Sequence, residues 1–103
     1  MMNVLDKTMI FERWYDSLDD ENVKDAIDAR IANAEQDNFG DAKSVGDGVY
    51  EMRIHYGPGY RLYYFQCGKQ LYLLLAGGKK GAQPRDVKLA KAIKLKVERG
   101  EEC

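Results

Sequence analysis

Cysteine and histidine are scarce in this chain, which has only Cys67, Cys103 and His55. Neither cysteine has metal-ligand spacing. One sits at an expected strand end and the other at the chain terminus, so neither a zinc site nor a disulfide framework is indicated and both are expected to be free thiols. Long apolar runs are also missing. The longest, Leu71 to Ala76, falls far short of the roughly 20 residues that span a bilayer. The opening MMNVLDKTMIF has no basic region followed by an apolar one, so the expectation is a cytoplasmic protein without membrane contact. Internal repeats, low-complexity tracts, glycine-rich phosphate loops, Cys/His clusters and serine-nucleophile signatures are all absent, and no metal or other cofactor is expected.

What remains is an ordinary globular composition, 32% charged and 45% hydrophobic, in 103 residues. That length suits one domain over residues 1–103 and leaves no room for a second core. The net charge of −1 hides an uneven distribution. Residues 1–52 hold 5 Lys/Arg against 13 Asp/Glu, and residues 53–103 hold 11 against 4. An anionic ligand would therefore meet the C-terminal half, while the acidic half faces solvent or a basic partner, unless the halves pair internally.

Along the chain, Asn3 to Ile10 has the apolar content of a first strand, and FERWYDSL reads as a short helix. Asp19 or Asp20 is a plausible cap for the next segment, ENVKDAIDARIANAEQD, where Val23, Ala26, Ile27, Arg30, Ile31 and Ala34 recur at helical spacing. NFGDAKSVGDG reads as loop or a short edge strand. KQLYLLLAGG is apolar on both faces, as an interior strand would be. Asp86 to Val97 forms a basic amphipathic helix on Val87, Ala90, Ile93 and Val97. The fold class expected is α+β: a small antiparallel-type sheet with an N-terminal helical pair and a C-terminal helix packed on it.

From Val49 the period becomes two, and Gly57-Pro58-Gly59 reads as a three-residue hairpin connection with Tyr56 opposite Tyr60. That register sets Ile54 opposite Leu62, His55 opposite Arg61 and Arg53 opposite Tyr63. One face collects Tyr50, Met52, Ile54, Tyr56, Tyr60, Leu62 and Tyr64 as core. The other collects Glu51, Arg53, His55, Arg61, Tyr63 and Phe65. A one-residue slip would bury two arginines, so the assignment of faces is well specified.

On the charged face, Arg53 and Arg61 become diagonal neighbours able to fork one phosphate, with the rings of Tyr63 and Phe65 beside them for stacking on unpaired bases. Lys79 and Lys80 follow the central strand and could close the same site. His55 could act as a general base, although two flanking arginines disfavour its protonated form. The plainer alternative is a solubilising sheet face with its arginines paired to Glu51 and the acidic helix. Trp14 and Phe11 read as packing residues.

The segments FERWYDSLDD, NFGDAKSVGDGVYEMRIHYGPGYRLYY, LLLAGGKKGAQPRDV and KLAKAI resemble, over nearly the whole chain, the phage Gp49-like, addiction-module killer group of the RelE/HigB toxin superfamily. The resemblance implies a RelE-like fold with a four-stranded antiparallel-type sheet. It also implies the toxin half of a type II toxin-antitoxin pair, neutralised by a helix-turn-helix antitoxin and touching operator DNA only through that complex. Its activity would be metal-independent cleavage of mRNA on the ribosome, by attack of a ribose 2′-hydroxyl on the adjacent phosphate. Arg53, Arg61 and Lys80 fall on the family's basic positions. Glu51, His55 and Lys43 are candidates for activating the hydroxyl, and Lys43, Tyr63, Phe65, Lys79 and Gln83 for holding RNA. Lys79 stands where close relatives often have Asp, and the tail VERGEEC lacks the His or Tyr that some relatives place there. Two other readings stay open: a ParE-like toxin directed at gyrase, and an inactive antitoxin-binding module.

Overall fold

In a computed structural model, residues 2–100 are described. The order is β1 (Val4–Lys7), α1 (Met9–Asp16), α2 (Glu21–Glu35), β2 (Ala42–Gly46), β3 (Val49–Ile54), β4 (Tyr60–Gln66), β5 (Leu71–Lys79) and α3 (Gln83–Arg99). The sheet has five strands in the order β1-β5-β4-β3-β2, antiparallel except for β1, which lies parallel to β5. The α+β class expected from the sequence holds, with one strand more than the four implied by resemblance. Among the described residues no helix is long and apolar enough to cross a membrane.

Local chemistry fixes the ends of these elements. Thr8 closes β1 and caps α1: its Oγ1 accepts from the Phe11 N–H at 3.0 Å and donates to the Leu75 carbonyl at 2.8 Å. The first strand is therefore shorter than the sequence suggested, and the helix starts earlier. Asp20 caps α2 by accepting from the Asn22 N–H at 2.9 Å. Asn3, though buried, is satisfied by donating to the Ala34 carbonyl at 3.0 Å and to Asp37 at 3.1 Å, which ties β1 to the end of α2.

Alternation along the hairpin sends its two faces to two cores. Met52, Ile54, Tyr60, Leu62 and Tyr64 pack with Leu74 against Phe11, Val23, Ile27, Ile31 and Ala34 of α1 and α2. Val49, Tyr63 and Phe65 pack with Leu73, Leu75 and Ala76 against Ala90, Ile93 and Val97 of α3. The interior position of β5 follows from its having apolar residues on both faces.

Three sequence expectations change. Ile54 pairs with Tyr60 and Arg53 with Arg61, a shift from the expected register. The Gly59 N–H donates to the Tyr56 carbonyl at 3.0 Å, so Tyr56 belongs to the turn and not to the ladder. Because the shift amounts to an even number of residues, every ladder side chain keeps its face, but Tyr50 and Tyr56 are exposed and not part of the core. Cys67 is disulfide-bonded and not a free thiol. Cys103 lies outside the described residues.

Gly77 has a steric reason to be glycine, since a Cβ there would overlap the Trp14 ring. Gly77→Ala should therefore lower stability by about 1–3 kcal/mol, the usual cost of overpacking. Urea denaturation checks this, and in a Trp14→Ala background the same substitution should cost little.

Candidate functional site

Residues directly opposite one another in an antiparallel ladder point to the same side of the sheet. On the α3 side, one row runs Lys43, Glu51, Tyr63, Ala76 across β2, β3, β4 and β5. The next row toward the hairpin tip runs Arg53, Arg61, Gly78. The arginines expected to be diagonal are thus face to face. Like charges directly opposite repel, so this pairing needs a carboxylate nearby.

Glu51 supplies it. Its Oε1 lies 3.2 Å from Arg53 Nε and 3.7 Å from Arg61 Nη1, and its Oε2 accepts from the Tyr63 hydroxyl at 3.3 Å. Glu51 is 4% exposed and Arg61 8%. Burial, then the charges of Glu51 and Asp86, push the Tyr63 phenol up, so it stays a neutral donor. Arg61 nevertheless remains under-bonded, with Nε and Nη1 buried and without a hydrogen-bond partner among the described residues.

Arg53 is only partly buried and reaches outward, with Nη1 3.7 Å from Asp41. The other Asp41 oxygen lies 2.6 Å from His55 Nε2. Arg30, read from the sequence as part of the α2 stripe, turns its guanidinium to the loop and to the end of β3. It donates to the Phe39 carbonyl at 2.9 Å and to the Arg53 carbonyl. Arg30 thereby anchors the strand that carries Arg53.

Lys80 meets the group from the hairpin tip. Its N–H donates to the Gly59 carbonyl at 3.0 Å, so the β5–α3 turn is tied to the Gly-Pro-Gly turn and the Lys80 ammonium stands exposed beside it. Lys79 is exposed at the end of β5. Lys43 is exposed on the edge strand, opposite Glu51.

Two of the remaining candidates are placed differently from what their proposed roles need. Tyr63 and Phe65 are buried beneath α3, and Lys94 of that helix covers the Phe65 ring at 5.3 Å, so neither ring presents a stacking face. Sequence alternation could not show that α3 covers this side. Gln83 accepts from the Gly81 N–H at 2.6 Å and closes the turn.

Two carboxylates of the site, Asp41 and Asp86, were missed. Asp86, in the first turn of α3, is 6% exposed and lies over Gly78, where a Cβ would overlap its Oδ2. The signal was present, because Asp86 shares the helical stripe of Ala90, Ile93 and Val97, but an apolar-pattern search passes over a carboxylate.

Comparison with known proteins bears on this geometry. Residues 13–97 match the family described as Phage derived protein Gp49-like. An uncharacterized protein of Haemophilus influenzae is 43% identical over 86 residues, covering 84% of this chain and 87% of that protein. Among solved structures, a mutant of the E. coli toxin RelE in its free state superposes with a TM-score of 0.68 at 19% identity, over 85% of this chain and 97% of the other. The last likeness establishes the fold.

The hydrogen bond from His55, and behind it the charge of Arg53, hold the Asp41 carboxyl below the usual carboxylate range. A carboxyl with a lowered folded-state value adds stability above its unfolded value and loses it as pH falls through the folded one. In a carbon-detected NMR titration, the Asp41 midpoint should rise toward the ordinary aspartate value in His55→Ala.

Proposed function

The chain belongs to the Gp49-like family of phage-derived proteins and has the fold of RelE, and from that premise we propose that it is the toxin of a type II toxin-antitoxin pair, cutting mRNA on the ribosome. The observation that carries this reading is the facing pair Arg53 and Arg61, held on one row of the sheet by the carboxylate they share, Glu51. Planar guanidiniums bind phosphate oxygens by paired hydrogen bonds, and the Lys80 ammonium stands exposed beside the hairpin turn that joins their strands.

The reaction is attack of a ribose 2′-hydroxyl on the adjacent phosphate, with loss of the 5′-oxygen. Arg53 and Arg61 stabilise the charge that develops on the equatorial oxygens. Lys80, exposed at the same corner, gives the proton that the leaving oxygen needs. Of the three bases considered, Glu51 already accepts from Arg53 and Tyr63 and is paired with Arg61, and Lys43 lies out on the edge strand. His55 is the base that fits. It is exposed on the arginine side and oriented by Asp41, an arrangement in which a carboxylate holds an imidazole for proton transfer. With Tyr63 and Phe65 in the core, this face contributes charge and not stacking; Lys43 flanks it as a phosphate contact, while Lys79, opposite Tyr60, points to the α1 and α2 side of the sheet. The ribosome supplies the remaining alignment of the message.

The partner that neutralises such a toxin is a helix-turn-helix antitoxin, whose acidic or helical segment would cover Arg53, Arg61 and Lys80.

Transcript 5′-end mapping after brief induced expression in a bacterium tests the reading. New cuts within translated frames are expected, falling about 10²–10³-fold in Arg61→Ala, the usual loss for one oxyanion donor. Growth arrest without cuts would point to a gyrase-directed toxin. Neither arrest nor cuts would leave an antitoxin-binding module.

A further inference from the structure

Three buried side-chain atoms lack hydrogen-bond partners among the described residues: Nε and Nη1 of Arg61, and Oδ2 of Asp86. They come from elements distant in sequence, β4 and the start of α3. The sheet register brings them to one place. Arg61 is the direct cross-strand partner of Gly78, and the Asp86 carboxylate fills the space that a side chain at position 78 would take. Opposed side chains start about 4.5–5.5 Å apart at Cβ. Gly78 and Asp86 together therefore present to Arg61 what an acidic residue on β5 would have presented, delivered from the helix above.

We infer that Asp86 is a positioning residue for Arg61, setting the guanidinium between two carboxylates so that its remaining accessible edge is held for an outside anion. Glu51 anchors Arg61 on the β3 side, with Oε1 3.7 Å from Nη1. Asp86 faces it from the β5 side. A guanidinium held only by Glu51 could swing toward that single carboxylate, and the second charge opposes the swing. Asp86 is itself fixed. Its backbone N–H donates to the Ala82 carbonyl at 3.0 Å, and its Oδ1 lies 3.6 Å from the exposed Arg85 Nε. The positive end of α3 further favours a carboxylate in its first turn. The second glycine of the Gly77-Gly78 pair is accounted for as well, because any side chain there would displace the carboxylate.

This inference rests on the proposed function only for its effect on cleavage, and its test has an independent part. In the free protein, the Arg61 Nε–H signal in nitrogen-edited NMR should exchange slowly with solvent. In Asp86→Asn it should exchange at least several-fold faster with the amide fingerprint otherwise retained. Unchanged exchange would overturn the inference. In a reconstituted translation system, Asp86→Asn should slow mRNA cleavage about ten-fold in the native background and have no further effect in Arg61→Ala, because coupled residues are non-additive. Equal losses in both backgrounds would instead assign Asp86 a role independent of Arg61. Gly78→Ala, which moves the carboxylate without removing its charge, should reproduce the Asp86→Asn exchange rate; a native rate there would count against the inference. If the native chain cuts no message, the functional reading falls and the exchange rates still decide this one.

Discussion

Arg61 carries a charge that cannot be neutralised at any ordinary pH, at a position 8% exposed, in the central strand of the five-stranded sheet. Burying a guanidinium costs several kcal/mol unless a counter-charge goes with it, and breaking such a pair costs about 3–5 kcal/mol. Glu51 is that counter-charge, and much of the neighbourhood follows from keeping the two together. Tyr63 donates to Glu51, Arg53 shares its Oε1, and Arg30 holds the end of the strand that carries Arg53. The arrangement is balanced without being saturated. Two nitrogens of Arg61 are left without hydrogen bonds among the described residues although both are closed off from solvent, a cost that a purely structural ion pair would not carry.

The fold brings this pair to a surface without exposing the core. α3 covers the row that contains Tyr63, and its first turn ends over Gly78, one row short of the hairpin tip. Beyond that line the Arg53 and Arg61 row meets the β5–α3 turn, which the Lys80 to Gly59 hydrogen bond ties to the hairpin. The site is thus assembled at the junction of three segments whose relative placement is set by backbone hydrogen bonds and by glycines that let helix side chains approach the sheet.

How much of this was legible depended on the range of the interaction. Period-two alternation showed which hairpin residues share a face, because that depends only on the strand itself, and it survived an even error in register. The register depended on the turn, and placing Tyr56 in the ladder made Arg53 and Arg61 diagonal when they face each other. The helical stripe of α2 and the cap at Asp20 were likewise local and readable. Three features were not. β1 joins the sheet parallel to β5 across more than sixty residues of chain. α3 lies over Tyr63 and Phe65, which turned expected stacking rings into core. Asp86 is polar at a position whose neighbours in the stripe are apolar, and only the bare backbone at Gly78 explains how a carboxylate fits there.

The central claim is that this guanidinium pair serves phosphate chemistry driven by the neighbouring ribose hydroxyl. The most direct measurement is cleavage by the purified chain of an mRNA in a programmed ribosome, with a single 2′-deoxy substitution at the nucleotide whose hydroxyl attacks. The account predicts that the all-ribose message is cut to leave a 2′,3′-cyclic phosphate and that the deoxy message survives. Cutting that persists at the deoxy position, or an all-ribose message left intact, would contradict it.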